Sequence, residues 1–174
     1  MVLDLDETLV HSSFRPVPQY DLTFPVSVEG STYTVYVKYR PFVHMFLQEC
    51  SKLFETVIFT ASLSVYADAL MDRLDPGRAL CPHRLFREHC SFTNNAYVKD
   101  LSLLGRDLTR VIICDNSPVA YLFQPRNAIP ILSWFDDAKD TELRELVPWL
   151  HKLAAAQDVY PVLDEYRAMK GTGK

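Results

Sequence analysis

Asp4 and Asp6 stand one residue apart in the opening run Val2-Leu3-Asp4-Leu5-Asp6-Glu7-Thr8-Leu9-Val10, with the Thr8 hydroxyl two residues further on. In an extended chain alternate residues share a side, so the two carboxylates would face one way and Leu3 and Leu5 the other. If the strand ends at Asp4 and the chain turns, both carboxylates can converge on one point above the strand end. Converging carboxylates repel, an arrangement that implies a bound cation or a shared proton. The plainer alternative is an acidic turn after a core strand.

Other parts of the chain repeat this pattern. Thr56-Val57-Ile58-Phe59-Thr60 and Arg110-Val111-Ile112-Ile113-Cys114 are apolar runs of the kind buried on both faces of a parallel sheet. The first ends in Thr60 and the second runs into Asp115-Asn116-Ser117-Pro118, so three apolar strands each end in a polar group: Asp4, Thr60 and Asp115. Ala128 to Leu132 is a further strand candidate. Between these runs, apolar residues recur at helical spacing from Arg40-Pro41 to about Phe54, from a Ser62 cap to Leu74, from Thr141 to about Ala156, and from Val159 to Met169. Ser117-Pro118 reads as another helix start, whose free amides would favour an anion. His11 to Pro18 reads as loop. Leu22–Val28 and Thr32–Tyr39 flank Glu29-Gly30-Ser31 as a β-hairpin, an insertion over residues 18–39 at the presumptive site. Short strands are expected in His83–Glu88 and Cys90–Thr93, with a turn at Asn94-Asn95 and a frayed tail after Met169. Alternating strands and helices predict a single α/β domain over 1–174 with an open, mostly parallel sheet, whose ligands gather at the strand carboxyl ends.

Composition narrows the function. The 174 residues are 48% hydrophobic and 23% charged, ordinary for a globular protein, and the net charge of −4 argues against a surface built for direct nucleic-acid binding. No apolar run approaches the roughly 20 residues of a membrane span. The first strand begins almost at Met1, so an N-terminal extension or anchor outside this sequence is expected. Cys50, Cys81, Cys90 and Cys114 lack paired spacing, which fits free thiols in an intracellular, reducing compartment.

Asp4-Leu5-Asp6-Glu7-Thr8 resembles the DxDx(T/V) signature of haloacid-dehalogenase (HAD)-like phosphotransferases. Thr60 in Phe59-Thr60-Ala61-Ser62, Lys99 in Val98-Lys99-Asp100-Leu101, and Asp115-Asn116 resemble the three later motifs of that superfamily, in order. Leu9-Val10-His11-Ser12-Ser13-Phe14, Leu85-Phe86-Arg87-Glu88, Val111 to Pro118 and Ser133-Trp134-Phe135 are similar to the small phosphatases of the FCP/SCP family, which act on the carboxy-terminal domain (CTD) of RNA polymerase II. The resemblance runs nearly end to end. It implies a Rossmann-like three-layer sandwich in which the hairpin replaces the large cap of many relatives, leaving a site open to a phosphorylated peptide.

A phosphate dianion meeting a carboxylate nucleophile at about 4 Å loses roughly 4 kcal/mol per unit-charge repulsion at an effective dielectric near 20, so Mg²⁺ is expected. The resemblance implies that Asp4 attacks phosphorus to give an aspartyl-phosphate, while Asp6 protonates the leaving seryl oxygen and later deprotonates water. The implied metal shell is the Asp4 carboxylate, the Asp6 backbone carbonyl and Asn116, with Asp115 beside it. Thr60, Lys99 and Arg87 would bind phosphate, and Thr8 would fix the turn after Asp6. Phe14, Val26, Val28, Leu63 and Tyr66 match the family's apolar groove for a proline-containing peptide, though each also suits ordinary core. The implied activity is that of a protein serine/threonine phosphatase on phosphoserine-proline segments such as the polymerase tail, working in the nucleus, with a cytoplasmic or membrane-anchored location as the alternative.

Several rivals remain at this level. Cys81 and Arg87 satisfy the Cys-x5-Arg spacing of cysteine phosphatases, but Pro82 and strand-like Arg84-Leu85-Phe86 stand where a glycine-rich phosphate loop is needed. A zinc site from Cys81, His83, His89 and Cys90 lacks a Cys-x2-Cys anchor. His11, His44 and His151 read as surface or structural residues. Import receptors of the same fold are non-catalytic binding modules that lose the opening aspartates, which this chain keeps. The nuclear-envelope lipin phosphatases are the alternative within the enzymes.

Overall fold

In the computed structural model, which describes residues 1–171, five short strands form one parallel sheet. They are β1 (Val2–Leu3), β5 (Val57–Phe59), β6 (His83–Leu85), β9 (Ile113–Asp115) and β10 (Ala128–Pro130), in the order β10-β9-β1-β5-β6. Strand β1 lies at the centre, with Leu3 level with Ile58 and Cys114. Side chains alternate across the sheet. Leu3, Ile58, Cys114 and Ile129 enter the larger core, whereas Val2, Phe59, Ile113 and Ala128 enter a smaller one on the opposite face.

The helices α1 (Val43–Leu53), α2 (Ser64–Leu74), α3 (Glu142–Ala155) and α4 (Tyr160–Gly171) all send buried residues into the larger core, among them Phe46, Leu70, Leu150 and Leu163. On the opposite face Val2 and Ile113 are covered by Leu101, Val111 and Tyr121, residues of short 3₁₀ turns and loops. Pro41 stands before α1 instead of in its first turn, and Phe42 at its N-cap has φ 68°. The tail expected to fray, residues 172–174, lies outside the described residues.

The insertion has three strands where the sequence pattern shows two. Strands β3 (Leu22–Val28) and β4 (Ser31–Tyr39) form the expected hairpin, closed by Glu29 and Gly30 with φ of 50° and 79°. Two positive φ values in a two-residue loop match the twist of an antiparallel ribbon, and Gly30 adopts one at no steric cost. Strand β2 (Val10–Ser13), expected as loop, pairs antiparallel with β4, Ser12 opposite Val37. His-Ser-Ser has little intrinsic strand preference, and the neighbouring edge supplies the ladder. The insertion therefore starts at Val10, directly after the acidic turn. Short β7 (Ser91–Thr93) and β8 (Ala96–Val98) form a second hairpin around Asn94 and Asn95, both at positive φ.

Candidate active site

All three polar strand ends meet at the carboxyl edge of the sheet. Asp4 follows β1, Thr60 follows β5, and Asp115 is the last residue of β9. With Asp6, Glu7, Ala61, Ser62, Arg87, Tyr97, Lys99 and Asn116 they line a cavity of about 320 Å³. The turn between β1 and β2 is tied by Leu9 N donating to Leu5 O at 2.9 Å and Glu7 N to Val10 O at 2.8 Å.

Lys99 is the central cation. It follows β8, is fixed by its amide donating to Ala120 O, and is 2% exposed. Its Nζ donates to Asp4 Oδ1 at 2.7 Å and to Asp115 Oδ2 at 2.6 Å. Burial alone would push this ammonium down, but the two carboxylates outweigh it and hold the group above the usual lysine range. Burial, reinforced by the charge of Asp4, pushes Asp115 up to about 6, with Lys99 opposing both. The second Asp4 oxygen, Oδ2, accepts from the Thr8 hydroxyl at 2.8 Å, and Asn116 Oδ1 lies 3.3 Å from that hydroxyl. Thr8 therefore does more than fix the turn: its hydroxyl lies between Asp4 and Asn116 and donates to Asp4 at the shorter distance.

The remaining phosphate candidates also reach the cavity. The Thr60 hydroxyl oxygen accepts from Ser62 N at 3.0 Å, which leaves its own proton available to an anion. Arg87 is anchored by Nε donating to Ala61 O at 2.7 Å, with its guanidinium 5.0 Å from the Tyr97 ring centroid. Asp6 accepts from Tyr66 Oη at 2.5 Å and Ser62 Oγ at 2.7 Å. Burial pushes its carboxyl up, more strongly than those two hydrogen bonds pull it down.

The lining suits a hard cation. Four carboxylates (Asp4, Asp6, Glu7, Asp115) face two cations (Lys99, Arg87), so an arriving phosphate would meet net negative charge. Asp4 Oδ2 and Asn116 Oδ1 both approach the Thr8 hydroxyl, whose single proton can serve one of them. Carboxylate and amide oxygens are the ligands Mg²⁺ prefers. Among the described residues no group of three or more His, Cys, Asp or Glu side chains converges on a metal position, so the Cys81, His83, His89 and Cys90 set does not form. The cation would depend on Asn116 and backbone oxygen.

Other expectations are corrected. Ser62 does not cap α2: Leu63 is the N-cap residue, with no side-chain cap, and the Ser62 hydroxyl goes to Asp6. No helix starts at Ser117-Pro118. That segment is a turn in which Ser117 N donates to Asp115 Oδ1 at 2.9 Å. Cys81 is fully buried outside the cavity, and burial pushes its thiol up to about 12, which removes the cysteine-phosphatase reading. In the groove set, Phe14 is 62% and Leu63 41% exposed, while Val28 and Tyr66 are partly buried. Val26 belongs to the core at 3% exposure, because its face of β3 turns inward with Phe24, and it offers no groove surface.

Three functional contributors escape the sequence pattern. Ser133 Oγ accepts from Asn116 Nδ2 at 2.8 Å, which turns the amide oxygen toward Thr8. The buried Arg40 donates through Nη1 to Thr8 O at 3.1 Å and Leu132 O at 3.0 Å, and through Nε and Nη2 to the Asp140 carboxylate. It thereby ties the acidic turn to the segment carrying Ser133. Ser12, on β2, meets Tyr66 Oη at 2.5 Å. A lone arginine before a proline carries no local signal of a partner 100 residues away.

The parallel sheet with its strand-end aspartates defines a haloacid-dehalogenase-like α/β protein. The fold agrees with that of fission yeast Fcp1, an RNA polymerase II CTD phosphatase solved with beryllium fluoride: the TM-score is 0.65 at 21% identity, over 98% of this chain and 55% of that one. The chain belongs to the NLI interacting factor-like phosphatase family, whose model matches residues 1–160. It is 53% identical over 168 residues to the Homo sapiens carboxy-terminal domain RNA polymerase II polypeptide A small phosphatase 2, covering 97% of this chain and 62% of that protein. It is 58% identical over 167 residues to a probable C-terminal domain small phosphatase of Dictyostelium discoideum, covering 96% of this chain and 54% of that protein. The chain thus spans just over half the length of these relatives. Among the described residues no helix is long and apolar enough to cross a membrane.

Proposed function

We propose that the protein is a Mg²⁺-dependent protein serine/threonine phosphatase that works through an aspartyl-phosphate on Asp4. The observation that carries this reading is the buried Asp4 carboxylate, held on one oxygen by Lys99 and on the other by Thr8, at the mouth of a cavity that also presents Thr60, Arg87 and Asn116. A side chain fixed at both oxygens is pre-aimed, and that orientation is worth several kcal/mol of barrier in general. Asp4, the Asp6 carbonyl and Asn116 would hold the cation, with Asp115 alongside. When bound, Mg²⁺ neutralises charge between phosphate and carboxylate.

An Asp4 oxygen forms a bond to phosphorus as the bond to the seryl oxygen breaks. The Asp6 carboxyl gives its proton to that leaving oxygen. In the second half, Asp6 takes a proton from the water that attacks phosphorus, releasing inorganic phosphate and restoring Asp4. Lys99, the Thr60 hydroxyl and Arg87 hold the phosphoryl oxygens. Phe14 and Leu63, with Val28 and Tyr66 at their edge, form the apolar surface beside the phosphate, and Val26 supports it from below. Phosphoserine-proline segments such as the polymerase CTD fit this surface, and the names of the relatives support the same substrate class. A polymerase substrate would call for action in the nucleus.

The test is release of phosphate from a phosphoserine-proline peptide. Turnover should require Mg²⁺, vanish on chelation, and fall at least about a thousandfold in Asp4→Asn. Activity that survives either treatment refutes the mechanism.

A further inference from the structure

Two hydroxyl groups from different segments reach the carboxyl of Asp6, and a third backs one of them. Tyr66, in the first turn of α2, donates to Oδ1 at 2.5 Å, and Ser62, in the loop before α2, donates to Oδ2 at 2.7 Å. Ser12, on β2 of the insertion, meets the Tyr66 hydroxyl at 2.5 Å, with either atom able to donate. The Tyr66 ring is stacked on Phe24 of β3, centroids 6.3 Å apart at 18°, so the phenol cannot swing freely away from the carboxyl. Its hydroxyl therefore faces the site, although the ring forms part of the apolar surface.

The chemical type of these partners matters. A hydroxyl carries one donor and two acceptor positions, whereas an ammonium or amide N–H can only donate. Facing an ionised carboxylate, Tyr66 and Ser62 donate to it and Ser12 donates to Tyr66. Facing a protonated carboxyl, the Tyr66 oxygen accepts a hydrogen bond from Asp6 and turns its own O–H to donate to the Ser12 oxygen. The same three atoms hold the side chain in one place in both states. A lysine in their position would favour the ionised form alone.

We infer that Tyr66, Ser62 and Ser12 are positioning residues that keep the Asp6 carboxyl in one orientation through both halves of the reaction, first as proton donor and then as acceptor. The inference rests on the reading of Asp6 as the proton carrier. It assigns Tyr66 a function beyond lining the groove and explains why Ser62 leaves the helix N-terminus uncapped. It also joins the insertion to the chemistry, since Ser12 and Phe24 both belong to it.

Leaving-group dependence tests this directly. Departure of p-nitrophenol needs little proton assistance and departure of phenol needs much more, and kcat/KM reports the first half-reaction. Wild type, Tyr66→Phe, Ser62→Ala and Asp6→Asn are compared on p-nitrophenyl, p-chlorophenyl and phenyl phosphate, substrates too small to use the peptide groove. Tyr66→Phe retains the ring, and circular dichroism melts verify that it folds; Ser62→Ala, a smaller change, provides the same comparison. Tyr66→Phe should lose at least about tenfold more on phenyl than on p-nitrophenyl phosphate, and Ser62→Ala a smaller amount in the same sense. A loss equal across the series, as a packing role would give, or no loss at all, overturns the inference. Asp6→Asn separates the two levels. If it too shows equal losses, the reading of Asp6 as proton donor fails; if it alone shows the steeper dependence, only the hydroxyl assignment fails.

Discussion

Replacing Lys99 with methionine keeps the length of the side chain and removes its charge, leaving Asp4 and Asp115 to face each other. The ammonium sits 2.7 Å from one carboxylate and 2.6 Å from the other, so the two oxygens it bridges are at most about 5 Å apart. At that separation and an effective dielectric near 20, two unit charges repel by roughly 3 kcal/mol. Removing one member of a buried ion group costs about 3–5 kcal/mol in general, because a partner is left buried and unpaired. Lys99→Met should therefore lose about 3–5 kcal/mol at neutral pH, which for a chain of this size lowers Tm by roughly 6–20 °C.

The dependence on pH has a definite sign. The Asp115 carboxyl is already raised to about 6 in the fold, above its unfolded value. A raised carboxyl stabilises the fold most where it is protonated, and that contribution disappears as the pH climbs through the folded value. Lys99 is raised as well, so its contribution persists throughout the range below the free-lysine value. Without Lys99 the Asp115 carboxyl rises further, and the variant recovers on acidification while wild type gains less. The stability gap should narrow by about 1.4 kcal/mol per pH unit per proton taken up, between roughly pH 7.5 and 5.5. Urea unfolding of both proteins, in EDTA so that no cation replaces the ammonium, measures the gap. A second variant, Lys99→Met with Asp115→Asn, should regain more than half of the loss. A gap under about 1 kcal/mol that does not move with pH would refute the reasoning.

Arg40→Leu should cost about 3–5 kcal/mol in urea unfolding, since it leaves the Asp140 carboxylate and the Thr8 and Leu132 carbonyls without their donor; a loss below about 1 kcal/mol would show that the clamp is dispensable. Cys50, Cys81 and Cys114 are buried, and burial raises all three thiols, Cys81 to about 12. Protonated below those values, they should stay unreactive toward Ellman's reagent in the folded protein at pH 8, while the partly exposed Cys90 reacts slowly; fast release of more than one equivalent would contradict this.

What could be read from the sequence, and what could not, divides along physical lines. Asp4, Thr60 and Asp115 were legible because each interrupts an apolar run, and a buried strand can end in a polar group only where it leaves the core. The β3–β4 hairpin was legible because Glu29-Gly30 provides the positive φ its turn requires. The misreadings of the two serines near Asp6 share one cause. Ser62 has the composition of a helix cap, and locally a cap is the best use of a serine before an apolar stripe. One hydroxyl proton makes one hydrogen bond, and the partly buried Asp6 carboxyl, 56 residues away in sequence, offers it a charged acceptor. A charge-assisted bond is roughly twice as strong as a neutral one, so the cap is forgone and α2 starts bare. Ser12 follows the same rule: its segment is a poor strand by composition, yet pairing with β4 sets it against Tyr66. Local propensity decides where no stronger partner lies within reach. Around Asp6 stronger partners do lie within reach, and there the local reading of the serines fails.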